Sequence, residues 1–312
     1  MTTKRERFLK AARGERVDRP PVGAWIHYGS SFWTPAQVAE AHLRFYRQYD
    51  WDFIKVMDDF RLVLPDGLEE ITDPAQFEGI VPDPAVSLPN LEKQAEVLTI
   101  IRAEAPEAAI IDTIFSPTQT LVRALGETVI DYFKADPALA HRTTARVAEA
   151  LAKYAASLAG LGVDGIFLAI NGASTDATSF GLSHQQFHEW IEPYDIQVLE
   201  AAEGLVRIGH LHGEGADPDL LGNYPFEVLN WSDKVSRPTI EETRPTYGWV
   251  PMVGMDEINS LYWTPSKARE ELLAARKAAG DALIVAPNCT LHSDGSPLLL
   301  TALRDSVDLP LE

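Results

Sequence analysis

Two histidines one residue apart, His210 and His212, close the apolar run Leu205–His212 (LVRIGHLH) just before Gly213. If that run is a strand, alternate side chains share a face, so Val206, Ile208, His210 and His212 point the same way. Two imidazoles side by side at a strand end suit a metal ion, a proton relay, or a pair satisfying each other by hydrogen bonding. The single cysteine of the chain, Cys289, follows another short apolar run, Ala282–Ala286. Two imidazole nitrogens and one thiolate form a reasonable three-ligand set for Zn2+, with the fourth tetrahedral position open for catalysis. A metal there would bring the pKa of a bound thiol toward neutrality. Glu214 and Asp233 are the carboxylates available as a fourth ligand, although Glu214, between two glycines, equally suits a solvated loop.

Other residues with chemical potential sit at the ends of apolar runs. Asp58 and Asp59 follow Phe53–Met57 (FIKVM), where an aspartate can orient a substrate or a ligating histidine, or act as a general base. One of the two more simply caps the start of a loop. His27 and Tyr28 follow Pro21–His27 (PVGAWIH) and could bind a substrate or pack as an aromatic pair. Asn171 ends Gly165–Ile170 (GIFLAI), where it lines a pocket or, with Gly172, makes a tight turn. We take Asp59, His27 and Tyr28 as catalytic candidates and Asn171 as a cofactor-side contact. The run Asp233–Arg244 reads as a charged helix face.

The elements that must position these residues alternate. Besides the runs above, Ala109–Phe115, Phe226–Trp231 and Tyr247–Gly254 read as strands, which makes eight. Helical patterns over Asp136–Leu161, Ser183–Glu203 and Thr264–Ala279 carry apolar residues at three- and four-residue spacing. Ser183 and Thr264 are N-cap candidates, the latter followed by Pro265. Eight parallel strands with intervening helices predict a (β/α)8 barrel, an α/β fold in one domain spanning 1–312. A doubly wound sheet is the alternative, but no Gly-rich dinucleotide loop follows the first run. The segment 58–106 is longer than one connecting helix requires and predicts an excursion over the barrel mouth. In a barrel the active site lies at the C-terminal strand ends, where the polar residues above fall.

Bulk properties narrow the partners. A formal charge of -19 over 312 residues argues against nucleic acid, whose phosphates need clustered Lys and Arg. No apolar run reaches the ~20 residues of a membrane span, and residues 1–16 form a charged helical pattern without a signal-peptide core. One cysteine permits no internal disulfide and points to the cytoplasm.

The same residues carry a resemblance to the uroporphyrinogen decarboxylase superfamily, which includes corrinoid-linked methyltransferases acting on thiols such as coenzyme M. Residues 5–15 (RERFLKAARGE) and 17–22 (VDRPPV) look like its N-terminal signature, and Ser116-Pro117-Thr118 resembles its Gly-Pro-Thr turn. Leu182, Ser183, Phe187, Trp190, Pro193 and Tyr194 follow its "LSP..F..F..PY" pattern. Residues 286–289 (APNC), with Ser296 and Pro297, resemble its closing segment. The resemblance implies a (β/α)8 barrel, and a homodimer. True decarboxylases carry an arginine-bearing "MRQAGR" run where this chain has Gly23–Ser31 (GAWIHYGSS), without an arginine to hold the substrate's carboxylates. The family's aspartate is matched by Asp59. The methyltransferase branch carries a His-X-Cys pair and a later cysteine that together bind zinc. His210 and Cys289 match the first and last of these, while position 212 is histidine where that branch has cysteine. The resemblance therefore implies a zinc-dependent methyltransferase with a small-molecule substrate, its corrinoid supplied by a separate protein. The alternatives are a metal-free carboxy-lyase for a substrate with few carboxylates, and a barrel that only binds.

Overall fold

The computed structural model describes residues 2–64, 73, 76–77, 79–81, 83–84, 87–174 and 180–311. Seven strands form one parallel sheet in chain order: β1 (Phe53–Val56), β2 (Ala109–Phe115), β3 (Gly165–Ile170), β4 (Val206–Leu211), β5 (Val228–Trp231), β6 (Val250–Met255) and β7 (Ile284–Pro287). These correspond to seven of the eight expected runs. The eighth, Pro21–His27, is extended but is not a strand. It makes isolated parallel bridges at Val22–Val285 and Ile26–Leu291. Val285 N–H donates to Pro21 O at 2.8 Å and Asp52 N–H donates to Val22 O at 2.7 Å, so the segment still runs between β7 and β1. Pro20 and Pro21 supply no ladder donors at the start of the segment, and past them only these few contacts join it to its neighbours. The result is a curled seven-stranded sheet of barrel-like form rather than a closed eight-stranded barrel.

Inward-facing positions alternate along each strand. Phe53, Met57, Ile111, Phe167, Ile208, Val228, Met252 and Ile284 fill the concave face, together with Phe8 and Trp25. Gly23 allows a close approach here, since a Cβ at that position would lie 2.7 Å from the Phe53 ring. The opposite face packs against helices that include Pro35–Tyr49, Pro89–Glu104, Pro137–Ser157 and Pro265–Ala279.

The N-terminal helix Lys4–Ala12, with a Thr3–Glu6 capping box, lays Phe8 against Phe53 at the N-terminal end of the strands. Arg7 bridges Asp18 and buried Asp52, each at 2.7 Å, and Arg19 reaches Asp52 at 2.6 Å. This end of the sheet is therefore plugged, and the C-terminal end is left for chemistry.

The helices follow their sequence signals with two corrections. Ser183 forms a capping box with Gln186, Thr264 accepts from Lys267 N–H, and Asp136 caps Pro137–Ser157. The expected single helix over Ser183–Glu203 is two, His184–Trp190 and Glu192–Ala201, because Pro193 has no N–H to continue the first. The expected charged helix at Asp233–Arg244 contains only the short turn Ile240–Glu242 of α-helix, since Pro238 disfavours helical backbone at Arg237. Within the expected excursion, Pro89–Glu104 is a helix packed on Pro35–Tyr49. Residues 65–72, 74–75, 78, 82 and 85–86 lie outside the described residues.

Candidate metal centre

β4 carries Ile208 and His210 on the concave face, and His212 follows one residue past its end. His210 is buried and stacks on Phe167 at 5.0 Å between ring centres. Its Nδ1 lies 2.6 Å from Asn230 Oδ1, on β5. The Asn230 amide nitrogen donates to Met252 O at 2.5 Å and Pro287 O at 2.8 Å, which fixes the side chain's orientation. Oδ1 must therefore accept from His210 Nδ1–H, leaving the Nε2 lone pair free to face the sheet's mouth.

What that lone pair meets is Cys289. The preceding Asn288 is buried and tied on several sides. Its N–H donates to Met255 O at 3.0 Å, its Oδ1 accepts from Gly254 N–H at 3.0 Å, and its amide donates to Asp233. So anchored, the loop after β7 places Cys289 Sγ 3.6 Å from His210 Nε2 and 3.7 Å from His212 Nδ1. All three donor atoms lie within 4.8 Å of one another. A tetrahedral zinc with bonds of about 2.3 Å to sulfur and 2.05 Å to nitrogen would separate those atoms by about 3.6 Å. The donors thus fit a zinc ion in both chemistry and spacing.

Neither carboxylate anticipated as a fourth ligand joins this cluster. Glu214 is exposed, and Asp233 is engaged by Asn288 and Lys234. Glu257, just past β6, does not join it either. Its charge acts on both His212 and Cys289, Ser232 bonds one oxygen, and its buried Oε2 has no hydrogen-bond partner among the described residues.

A cavity of about 120 Å3 opens beside the three donors, walled by Trp25, His27, Lys55, Phe167, Asn171 and Thr290 among others. His27 Nδ1 is 2.8 Å from Asp59 Oδ1. Ser30 N–H and Oγ–H donate to the other oxygen at 3.1 and 2.8 Å. Burial pushes the Asp59 carboxyl up, but these bonds prevail and hold it well below the usual carboxylate range. Asp59 thus sits behind His27 and aims it into the cavity. Tyr28 lies elsewhere: its ring meets His42 at 4.8 Å, its hydroxyl faces Ala41 O, and it does not line this cavity.

Lys55 is the residue that sequence reasoning missed. It is buried on β1 with Nζ 3.0 Å from Met57 Sδ, 4.2 Å from the Phe167 ring centre and 4.8 Å from that of Trp25. Burial pulls its pKa down to about 7. The signal was present: a lysine inside the apolar run FIKVM, as Asn230 stands inside FEVLNW.

The sequence profile of the Uroporphyrinogen decarboxylase (URO-D) family matches residues 62–308, most of the chain. The chain belongs to the uroporphyrinogen decarboxylase family. His210, His212 and Cys289 fall inside the matched span, whereas His27, Lys55 and Asp59 precede it. A uroporphyrinogen decarboxylase from Synechococcus sp. (strain JA-2-3B'a(2-13)) is 24% identical over 326 aligned positions, covering 88% of each chain. Among solved structures, a methyltransferase from Methanosarcina mazei is 17% identical, covers 99% of both chains and superposes with a TM-score of 0.78. This similarity establishes that the two share a fold. Two family-like motifs meet in it, since Thr118 Oγ1 of the Ser-Pro-Thr turn donates to Trp190 O at 3.1 Å. Family members are enzymes, and the geometry above is what this member offers for catalysis.

Proposed function

We propose that this uroporphyrinogen decarboxylase family member is a zinc-dependent methyltransferase that transfers a methyl group from a carrier to a small thiol nucleophile. The observation that carries this reading is the approach of Cys289 Sγ to both imidazoles, with the His210 lone pair directed at it by Asn230. His210, His212 and Cys289 would hold the ion, which as a Lewis acid lowers the pKa of a thiol acceptor. The chain's own residues do the rest. Asn230 fixes the His210 tautomer, and Trp25 and Phe167 exclude water from one wall. His27, backed by Asp59, takes the proton that the thiol releases at its Nε2. The carrier would be a corrinoid held by a separate protein, as in the methyltransferases this chain resembles.

The cavity supports a small acceptor over a tetrapyrrole. At about 120 Å3 it is well below the usual range for drug-sized ligands. Lys55 is the one lysine or arginine among its described lining residues, too few to pair with eight carboxylates. Metal analysis of protein purified without chelator tests the proposal. About one equivalent of zinc per chain is expected, with thiol-methylating activity lost to chelation and restored by zinc. A metal-free preparation that stays inert in added zinc ends it.

A further inference from the structure

Methyl transfer leaves one group of the cavity without a task. Lys55 stands on β1 between Phe53 and Met57, on the concave face, and lines the cavity beside the metal donors while only 3% exposed. Its one hydrogen bond among the described residues runs to Met57 Sδ, a weak acceptor. The faces of Phe167 and Trp25 close two more sides of the ammonium. The cavity lining contains no aspartate or glutamate among the described residues.

Carboxylates act on this amine from farther off, and each is engaged elsewhere. Asp59 is held by His27 and Ser30. Asp58 turns away into a separate narrow cavity, where Arg123 lies 3.7 Å from its Oδ2. Asp112, on the other face of the sheet, accepts from Gln94 Nε2 and from the Tyr154 hydroxyl, each at 2.8 Å. Burial is the largest influence and brings the Lys55 amine down to about 7, against the charges of Cys289, Asp112, Asp59 and Asp58. Near neutral pH about half of the chains then carry a free amine at this wall.

A desolvated amine in an apolar pocket is a nucleophile toward carbonyl carbon. We propose that Lys55 captures a small aldehyde or ketone in this cavity as a Schiff base. The amine lone pair adds to the carbonyl carbon, and one amine proton passes to the oxygen, giving a carbinolamine. The nitrogen then expels that hydroxyl as water. The proton this step requires comes from His27, which lines the same cavity and is backed by Asp59. What remains is an iminium, with the same single charge as the ammonium. The ring faces of Phe167 and Trp25, 4.2 and 4.8 Å from Nζ, suit either cation. At about 120 Å3 the cavity admits a carbonyl compound of a few carbons. No ligand of the metal centre takes part, so the inference stands or falls apart from the zinc reading.

Labelling of the full chain at neutral pH with acetaldehyde and sodium cyanoborohydride, which reduces the iminium to a stable secondary amine, tests this. Peptide mapping by mass spectrometry should find Lys55 ethylated at least about tenfold faster than the exposed Lys93 and Lys277, since exposed amines are ordinarily protonated at that pH. Lys55→Met should remove the fast label from the intact mass and leave the slow ones. A Lys55 left unlabelled, or labelled no faster than Lys93 and Lys277, overturns the proposal. So does a fast label that persists in Lys55→Met. Mapping of the native chain decides the matter even if the variant does not fold.

Discussion

At the β4–β7 side of the mouth, polar groups are oriented by one another. Asn230 joins His210 to the carbonyls of β6 and β7, Asn288 anchors the loop that carries Cys289, and three donors converge. At the β1–β2 side, buried polar groups are as numerous but their account stays open. The Lys55 ammonium lies against a sulfur and two ring faces, with Cys289 and Asp112 acting on it by charge, and Asp58, Asn90 and Gln94 keep oxygens without donors among the described residues. Both sides bury polar atoms that an apolar core would reject. The first side, Glu257 Oε2 aside, satisfies the contacts behind its donors internally and presents lone pairs in one direction. The second leaves several acceptors without a donor among the described residues. A buried network that closes on itself rigidifies a site, whereas one that stays open is costly to bury.

The comparison breaks most readily at its centre. Cys289→Ser should lower zinc content by more than about tenfold and activity by roughly 100-fold or more, read by metal analysis and steady-state kinetics. Retained zinc would show that the imidazoles suffice without the thiolate.

A step outward, Asn230→Ala should weaken metal binding by roughly 10–100-fold, because nothing then holds His210 in the Nδ1–H tautomer. It should also cost about 3 kcal/mol of stability through the unpaired His210 N–H and two carbonyls, measured by urea unfolding. Unaltered zinc affinity in a destabilised variant would reduce Asn230 to a structural pin.

Asp59→Asn should leave zinc bound and lower kcat by about tenfold with little change in KM, since it disturbs only the aim and proton affinity of His27. Loss of metal in this variant would join two regions that the geometry keeps apart.

The smallest effect concerns Lys55. Lys55→Met should raise stability at pH 6 by roughly 1–3 kcal/mol, because a buried, unpaired charge is exchanged for an apolar chain. The sign follows from proton counting. The folded-state pKa of about 7 lies below the ordinary 10.5, so between these values the unfolded chain holds the extra proton. Native stability should therefore rise with pH across that window, and the variant should lose the slope. A variant less stable than the parent at pH 6 would reveal a partner for the ammonium.

Much of this was legible in residue order. Seven strand runs, the Ser183 and Thr264 caps and the shared face of His210 and His212 follow from local periodicity and capping chemistry. The misreadings have local causes too. Pro193 divides a helix, and Pro238 prevents one. Lys55 and Asn230 stand as polar residues inside apolar runs, a signal that marks a buried polar group but not what it meets. Glu257 gave no such signal, since only the fold brings its charge to bear on His212 and Cys289.

The amino-acid order determined which side chains alternate to one face of a strand, where helices begin, and how acidic the chain is. These depend on bonds and spacings within a few residues, or on summed charge. Only the tertiary structure decided that a cysteine 77 residues beyond His212 comes within 3.7 Å of it, or that consecutive aspartates serve different cavities. Such outcomes rest on how the sheet curls and on which helix packs behind each strand, and no short-range rule contains them.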